Sequence, residues 1–487
     1  SGGIQNVCVG DEAGTAITTG DYNSAFGYKA LHSDTLGNRS VAIGREALLN
    51  QNFTSDTNAY NIAVGYGASL SNLTGLQNTN VGAFSGYYGT TADNNTFVGY
   101  AAGFGNNGSA HTGNNNTAIG SQAGSDIQGA ATDNTVVGFE AGKSLTTATK
   151  NTHVGTEAGG VGVITGTRNN SFGYQAGKAL TSGTNNVFMG SLSGKAISTG
   201  ISNTVCGEAA LITEAAGDKN TAIGAEALKA QNGGRDGNVA VGYYAGFALT
   251  EGENNTIIGT EAMSLSAVTG DKNIAVGYRA GKNLTTGAAN VLIGKSAGAD
   301  TTLLTTGTQN VIIGPLARPS AAGVNNEIVI GYFVAGGGEG TATIGNGNGK
   351  ISVDFEANAT WSYSSDERLK KDIVADDLGL SFINRLETVK YKWKPSNEID
   401  ESLPQYVDAS SSIESPRKTD VVMHGMIAQT VKAALDAENV DTFAGWSEDL
   451  DGTQKISREM FVTPLIKAVQ ELSTALDAAL ARIAVLE

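Results

Sequence analysis

The sequence has 487 residues, 66 of them glycine and only 6 proline, and its 40% hydrophobic content is mostly small and β-branched. That is too apolar for a disordered chain and too glycine-rich for an ordinary globular domain, so a repetitive β architecture is predicted. A net charge of −16 argues against partners held by bulk electrostatics, nucleic acid and anionic membranes alike, and leaves a neutral glycan or a protein receptor.

No run of about 18 apolar residues exists, and the first residues lack the basic start and apolar core of a signal peptide, so no membrane insertion is expected. The chain starts almost inside a repeat, at Asn6-Val7-Cys8-Val9-Gly10, so the N-terminal part that would attach it to something else is expected to lie outside this sequence. The two cysteines, Cys8 and Cys206, fall eleven repeats apart, roughly 50 Å at the strand spacing of a sheet. No intrachain disulfide spans that distance. Both sit at apolar positions just before a repeat glycine and read as small core side chains, so no metal, redox or cofactor role is expected.

The repeat itself is plain in Asn116-Thr117-Ala118-Ile119-Gly120-Ser121-Gln122-Ala123-Gly124 and again in Asn238-Val239-Ala240-Val241-Gly242-Tyr243-Tyr244-Ala245-Gly246. The glycine closing each apolar triplet recurs from Gly10 and Gly27 through Gly331 and Gly345, 20 markers mostly 17 or 18 residues apart. Longer gaps, Gly44 to Gly65, Gly99 to Gly120 and Gly294 to Gly314, fall between strands, where a solenoid tolerates insertion. Four residues before the marker, 17 of the 20 repeats carry Asn, the exceptions being Ser40, Glu327 and Thr341. A stacked Asn ladder that satisfies turn backbone groups is the physical reason.

One repeat of this length traces at most about 58 Å of backbone, enough for one coil of two or three short strands. Each coil offers only its apolar triplet and an alanine three residues after the marker, such as Ala123, Ala141, Ala158 and Ala176. A single coil therefore buries no core, and stacking is required, giving a rod of about 95 Å for the whole array. Three adjacent apolar residues cannot hide on one face of a strand. One face must meet the chain's own core and the other a neighbouring chain, which predicts a parallel homotrimer. Residues 1 to 350 resemble the β-roll repeats in the heads of trimeric autotransporter adhesins, whose repeats carry an Asn-Ser-Val-Ala-Ile-Gly type of core. The recurrent Asp of calcium-binding β-roll loops is absent.

After Gly349 the glycine markers stop and Trp361, Trp393 and Trp446 appear. The predicted layout is β-solenoid over residues 1–350, a linker over 351–364, an α+β domain over 365–464 and a terminal helix over 465–487. The segment Ser365-Asp366-Glu367-Arg368-Leu369-Lys370-Lys371-Asp372-Ile373 resembles the Ser-Asp-x-Arg-Leu-Lys-x-Asp-Ile hallmark of the intramolecular-chaperone auto-processing family of phage tail spikes and fibres. Further on, His424-Gly425-Met426-Ile427-Ala428-Gln429 resembles that family's Gly-x-Ile-Ala-Gln helix start, with Thr430 where many members have Glu.

The resemblance implies cleavage of the chain's own peptide bond between Ser364 and Ser365. A serine hydroxyl is a weak nucleophile until a base takes its proton, and a desolvated lysine can be that base. Ser365 is the expected nucleophile, Lys370 the base and His424 a candidate assistant in proton transfer; the bland alternative is that Ser365 caps a helix and Lys370 is solvated. The carboxylates Asp366, Glu367 and Asp372 are expected to pair with Arg368 and neighbouring lysines.

The last stretch places Leu465, Val469, Leu472, Leu476, Ala479, Ile483 and Leu486 at alternating spacings of four and three, a coiled-coil seam of about three heptads. The whole then reads as a tail fibre of a bacteriophage virion, made in the host cytoplasm. Its partners would be two further copies of itself, a host-surface glycan or protein receptor, and other tail proteins. The weighed alternatives are a glycan depolymerase and a cellular adhesin with a borrowed chaperone domain. Tyr28, Tyr66, Tyr174, Tyr243 and Tyr278, each following a marker glycine, are expected to serve repeat packing rather than sugar stacking.

Overall fold

The computed structural model describes residues 2–106, 110–160, 162–355, 362–363, 367–401, 406, 420–449 and 452–486. The chain divides into two compact units, Ser1–Ser364 and Ser365–Glu487.

The first unit is a β-solenoid of about 20 turns, mainly β in class. Each coil places its apolar triplet on a short strand that pairs in parallel, without slip, with the triplet of the next coil: Val187, Phe188 and Met189 lie opposite Thr204, Val205 and Cys206, which lie opposite Thr221, Ala222 and Ile223. Parallel pairing continues to Thr341–Asn346, which is then covered by the antiparallel strand Gly349–Asp354. The insertion after Gly44 builds an extra parallel pair, Gly37–Asn38 with Thr57–Asn58, beside the main sheet.

The marker glycines are required by geometry. Gly224 has φ +126°, and a Cβ there would stand 2.5 Å from the carbonyl oxygen of Gly242 in the next coil. A side chain would meet both the left-handed backbone penalty and a clash with the stacked main chain. The Asn ladder forms as the repeat predicts. Asn186 donates through Nδ2 to the Gly200 carbonyl (2.8 Å), while its Oδ1 accepts the backbone N–H of Asn203 (2.9 Å). The three exceptions close or interrupt the ladder: Glu327, fully buried, accepts the backbone N–H groups of Ser320 and Gly338.

Within each triplet the middle residue points inward and is buried, as Ala118, Val136, Phe188 and Ile257 are; the alanine three after the marker is buried beside it. A further core column emerges that the triplet analysis did not anticipate. In several coils whose fourth residue after the marker is glycine (Gly124, Gly142, Gly177), the seventh is a buried Ile or Leu (Ile127, Leu145, Leu180). Where the fourth is a buried leucine (Leu31, Leu48, Leu211, Leu228), the seventh is a buried polar residue (Asp34, Gln51, Glu214, Gln231). The two positions share one volume. A Cβ at Gly124 would lie 2.6 Å from Ile127 Cδ1, so close packing allows one large side chain per coil there.

The buried acids are satisfied by backbone: Glu214 accepts N–H groups from Ala215, Ala216, Gly217 and Gly234 at 2.8–3.1 Å. Two inner positions depart from the apolar pattern in adjacent coils. His153 and Ser171 are fully buried, register partners, and without hydrogen bonds at either ring nitrogen or at Oγ.

The first and third residues of each triplet face outward. The third column is apolar throughout and half-open in this chain, with Ile119 at 40%, Met189 at 47% and Ile293 at 37% exposure. This corrects the reading of Cys206, which occupies the outward third position and is only partly buried. Cys8 takes the inward middle position, but its coil is the outermost described one, which leaves it exposed. The tyrosines after the marker are surface groups, between 37% and 52% exposed from Tyr28 to Tyr243. They stand at the surface rather than filling a core, and Arg45 lies against the rings of both Tyr28 and Tyr66.

Candidate processing site and its chaperone unit

Among its described residues the second unit has three α-helices, α1 (Leu380–Arg385), α2 (Ala428–Ala437) and α3 (Val462–Leu486). Two antiparallel strand pairs accompany them, Val389–Tyr391 with Met423–Gly425 and Trp446–Glu448 with Gln454–Ile456. Their apolar faces converge on a small core of Leu378, Phe382, Val431, Ala434, Leu435 and Phe461. The Phe382 and Phe461 rings stack, with Phe443 edge-on to both.

Two carboxylates lock α1. Glu471 of α3 accepts the Leu380 N–H at 2.8 Å, satisfying an orphan donor of the first turn. Glu438, just past α2, accepts hydrogen bonds from Ser381 Oγ (2.7 Å) and Arg385 Nε (2.6 Å). Those bonds, the serine's first and then the arginine's, hold its carboxyl below the ordinary carboxylate range.

Of the expected processing residues, Ser364 and Ser365 lie outside the described residues. Glu367–Leu369 forms a single 3-10 turn, and the Lys370 N–H donates to the Glu367 carbonyl at 3.0 Å. Lys370 is exposed in the single chain, whereas the role of desolvated base calls for burial. His424 is the exposed middle residue of its strand, opposite Lys390. It lines a cleft of about 520 Å³ with Thr388, Val389, Lys390, Gly425, Met426 and Arg458.

Sequence analysis did not single out Arg458. Its guanidinium packs on Gly425, with Nη2 2.8 Å from where a Cβ would stand. The motif leads into α2 directly, and Thr430 Oγ1 donates back to the Ile427 carbonyl at 2.8 Å. It thus makes a local bond at the helix start in place of the family's acid.

Helix α3 runs for 25 residues, of which Pro464 and Ala468 are the buried ones. Leu465, Val469, Leu472, Leu476 and Ile483 are each more than half exposed, forming an apolar stripe that this chain does not cover. Among the described residues no group of three or more His, Cys, Asp or Glu could hold a metal ion, and no helix is long and apolar enough to cross a membrane.

Compared with known families, residues 365–440 match the model described as chaperone of endosialidase. No curated protein and no solved structure matches the chain. Residues 365–440 of the C-terminal unit are thus similar to the chaperone of endosialidase family, and carried behind a solenoid of about 20 turns they fit a tail fibre or spike with an endosialidase-type chaperone domain.

Proposed function

We propose that this chain is the structural, host-attachment fibre of a bacteriophage tail, a homotrimer whose C-terminal unit aligns three copies and then releases itself by cutting between Ser364 and Ser365. The observation that carries the reading is one coincidence of position: the family match begins at Ser365 and the two compact units meet at the same bond. Two further features support the trimer. The stripe on α3 has coiled-coil spacing and is open, and the outward apolar column of the solenoid is half-open along its length.

A nearly identical repeat can slip by one coil at little local cost, so long parallel pairing between chains needs a seed that sets register. The coiled coil would be that seed. Removing it after the solenoid has zipped would make disassembly kinetically difficult, because refolding without it is slow.

For cleavage, Lys370 Nζ takes the Ser365 hydroxyl proton and Oγ attacks the Ser364 carbonyl carbon. The C–N bond breaks as the Ser365 nitrogen receives a proton, leaving an ester between the two residues. Water then hydrolyses the ester, restoring the hydroxyl and leaving the Ser364 carboxylate. Because Lys370 is exposed in one chain, this role requires that folding in the trimer cover it, which would tie cutting to completed assembly.

The test expresses the full chain beside Ser365→Ala, Lys370→Ala and Leu472→Asn/Leu476→Asn. Denaturing gels, intact masses and sedimentation are read together. Fragments ending at Ser364 and starting at Ser365, lost in the first two variants, together with a trimer lost in the third, are expected. An uncut chain throughout would remove the peptidase claim, and a monomeric wild type would remove the trimer.

A further inference from the structure

The corner that follows the marker glycine is a polar edge in several coils. Its second and fifth residues carry ion pairs: Glu140 with Lys143 at 3.0 Å, Glu226 with Lys229 at 2.8 Å, and Glu261 with Lys282 of the next coil at 2.6 Å. A corner that holds such pairs faces water and contributes little to the core.

At the coils of Gly82 and Gly99 the same corner changes character. Phe84 and Tyr87 take the second and fifth places in one coil and Phe104 the fifth in the next, joined by Tyr66, Tyr88 and Tyr100. The six rings touch in a continuous cluster: Phe84 is edge-on to Tyr66 (5.0 Å) and Tyr100 (6.1 Å), and Phe104 stacks on Tyr87 (5.4 Å, 25°) and meets Tyr88 at 5.2 Å. None of the six is buried, and Tyr100 is 53% exposed. The coils of Gly138 and Gly224 stack with Glu140 and Lys143, and Glu226 and Lys229, at these places, so coil stacking does not call for the rings.

Five of the six rings, all but Tyr66, line a groove of about 430 Å³ together with Gln122, Asp126 and Lys143. That volume lies in the range of small-molecule sites, roughly 300–1,000 Å³. The groove therefore pairs flat aromatic faces with an amide, a carboxylate and an ammonium within one opening.

We propose that this groove binds a neutral oligosaccharide. A pyranose ring has one face of weakly positive C–H groups, which suits the negative face of an aromatic ring, and a rim of hydroxyls that both donate and accept. Gln122 offers donor and acceptor, Asp126 accepts, and Lys143 donates. An acidic glycan is disfavoured because the chain carries a net charge of −16 and Asp126 sits in the groove. The inference rests on the attachment role proposed above and gives it a place and a ligand class. Loss of the trimer would undo that role, whereas a trimeric fibre blind to neutral sugars would undo only this site.

The test applies the full chain to an array of immobilised neutral hexose and N-acetylhexosamine oligosaccharides, with sialylated and uronic-acid glycans on the same surface. Variants are Tyr100→Ala, Gln122→Asn and, outside the groove, Tyr174→Ala. Far-UV circular dichroism and melting confirm that each is folded. Retention of at least one neutral glycan by the wild type and Tyr174→Ala is expected, weakened about tenfold by losing the Tyr100 ring or shortening the Gln122 amide. Retention of no neutral glycan, of acidic glycans only, or at equal strength in folded Tyr100→Ala overturns the proposal.

Discussion

His153 makes the interior of the solenoid sensitive to acid. Its ring is fully buried with both nitrogens unpaired, and burial lowers its pKa from 6.5 to about 4. A group whose folded pKa is depressed below its unfolded value and which is neutral when deprotonated is protonated first in the unfolded chain. Stability is therefore full above about pH 6.5 and falls as pH drops toward 4, where the unfolded state binds a proton that the native coil does not. Over the whole window this amounts to about 3 kcal/mol, and by pH 4.5 to about 2.5 kcal/mol.

The perturbation is His153→Leu, since other coils hold Phe188 or Leu292 at the same inner position. A long repeat array is not two-state, so the readout is local opening by amide hydrogen exchange at Thr152–Val154, corrected for intrinsic exchange, at about pH 7.5 and 4.5. The wild-type coil is expected to lose about 2.5 kcal/mol more than the variant between the two conditions. Equal acid sensitivity in both, or a ring that titrates near 6.5 by NMR, would refute the reasoning.

Gly224→Ala should destabilise the solenoid by about 1–3 kcal/mol, because the new Cβ inherits a strained φ and a stacked carbonyl; a melting temperature equal to wild type counts against the stacking argument. Asn186→Ala leaves the Gly200 carbonyl and the Asn203 N–H without their partners, each costing about 1–3 kcal/mol, and should speed exchange at Asn203 selectively. Glu438→Gln should weaken the C-terminal unit at neutral pH. Since the folded carboxyl is depressed, its contribution is present above the unfolded carboxylate pKa and lost as pH falls through the folded one. The gap between variant and wild type in urea melts should therefore close in acid, and a gap that persists there would deny the carboxylate its role.

Much of this protein is legible in its sequence because a solenoid repeats one local problem. The marker glycine, the Asn four residues earlier and the apolar triplet each recur at fixed spacing, and each answers a requirement that arises within a single coil: a left-handed turn, an unpaired backbone group, an inward side chain. The shift in composition after Gly349 and the Ser365–Ile373 motif likewise announce a different unit, and the four-three spacing from Leu465 onward announces its helix.

What the sequence left open involves pairs of positions whose meaning depends on what stands above them. The exchange of volume between the fourth and seventh residues, which puts Leu211 with Glu214 in one coil and Gly177 with Leu180 in another, becomes visible only when both are seen to fill one space. Cys206 looks like a core residue by composition, but strand alternation turns it outward. The aromatic groove draws on residues from Phe84 to Lys143, separated along the chain and joined by stacking at one corner. Likewise Arg458 reaches Gly425 only because the chain folds back on itself. Local rules determined the coil, and contacts between coils and between distant segments determined which side chains share a surface, because close packing is a property of neighbours in space rather than in sequence.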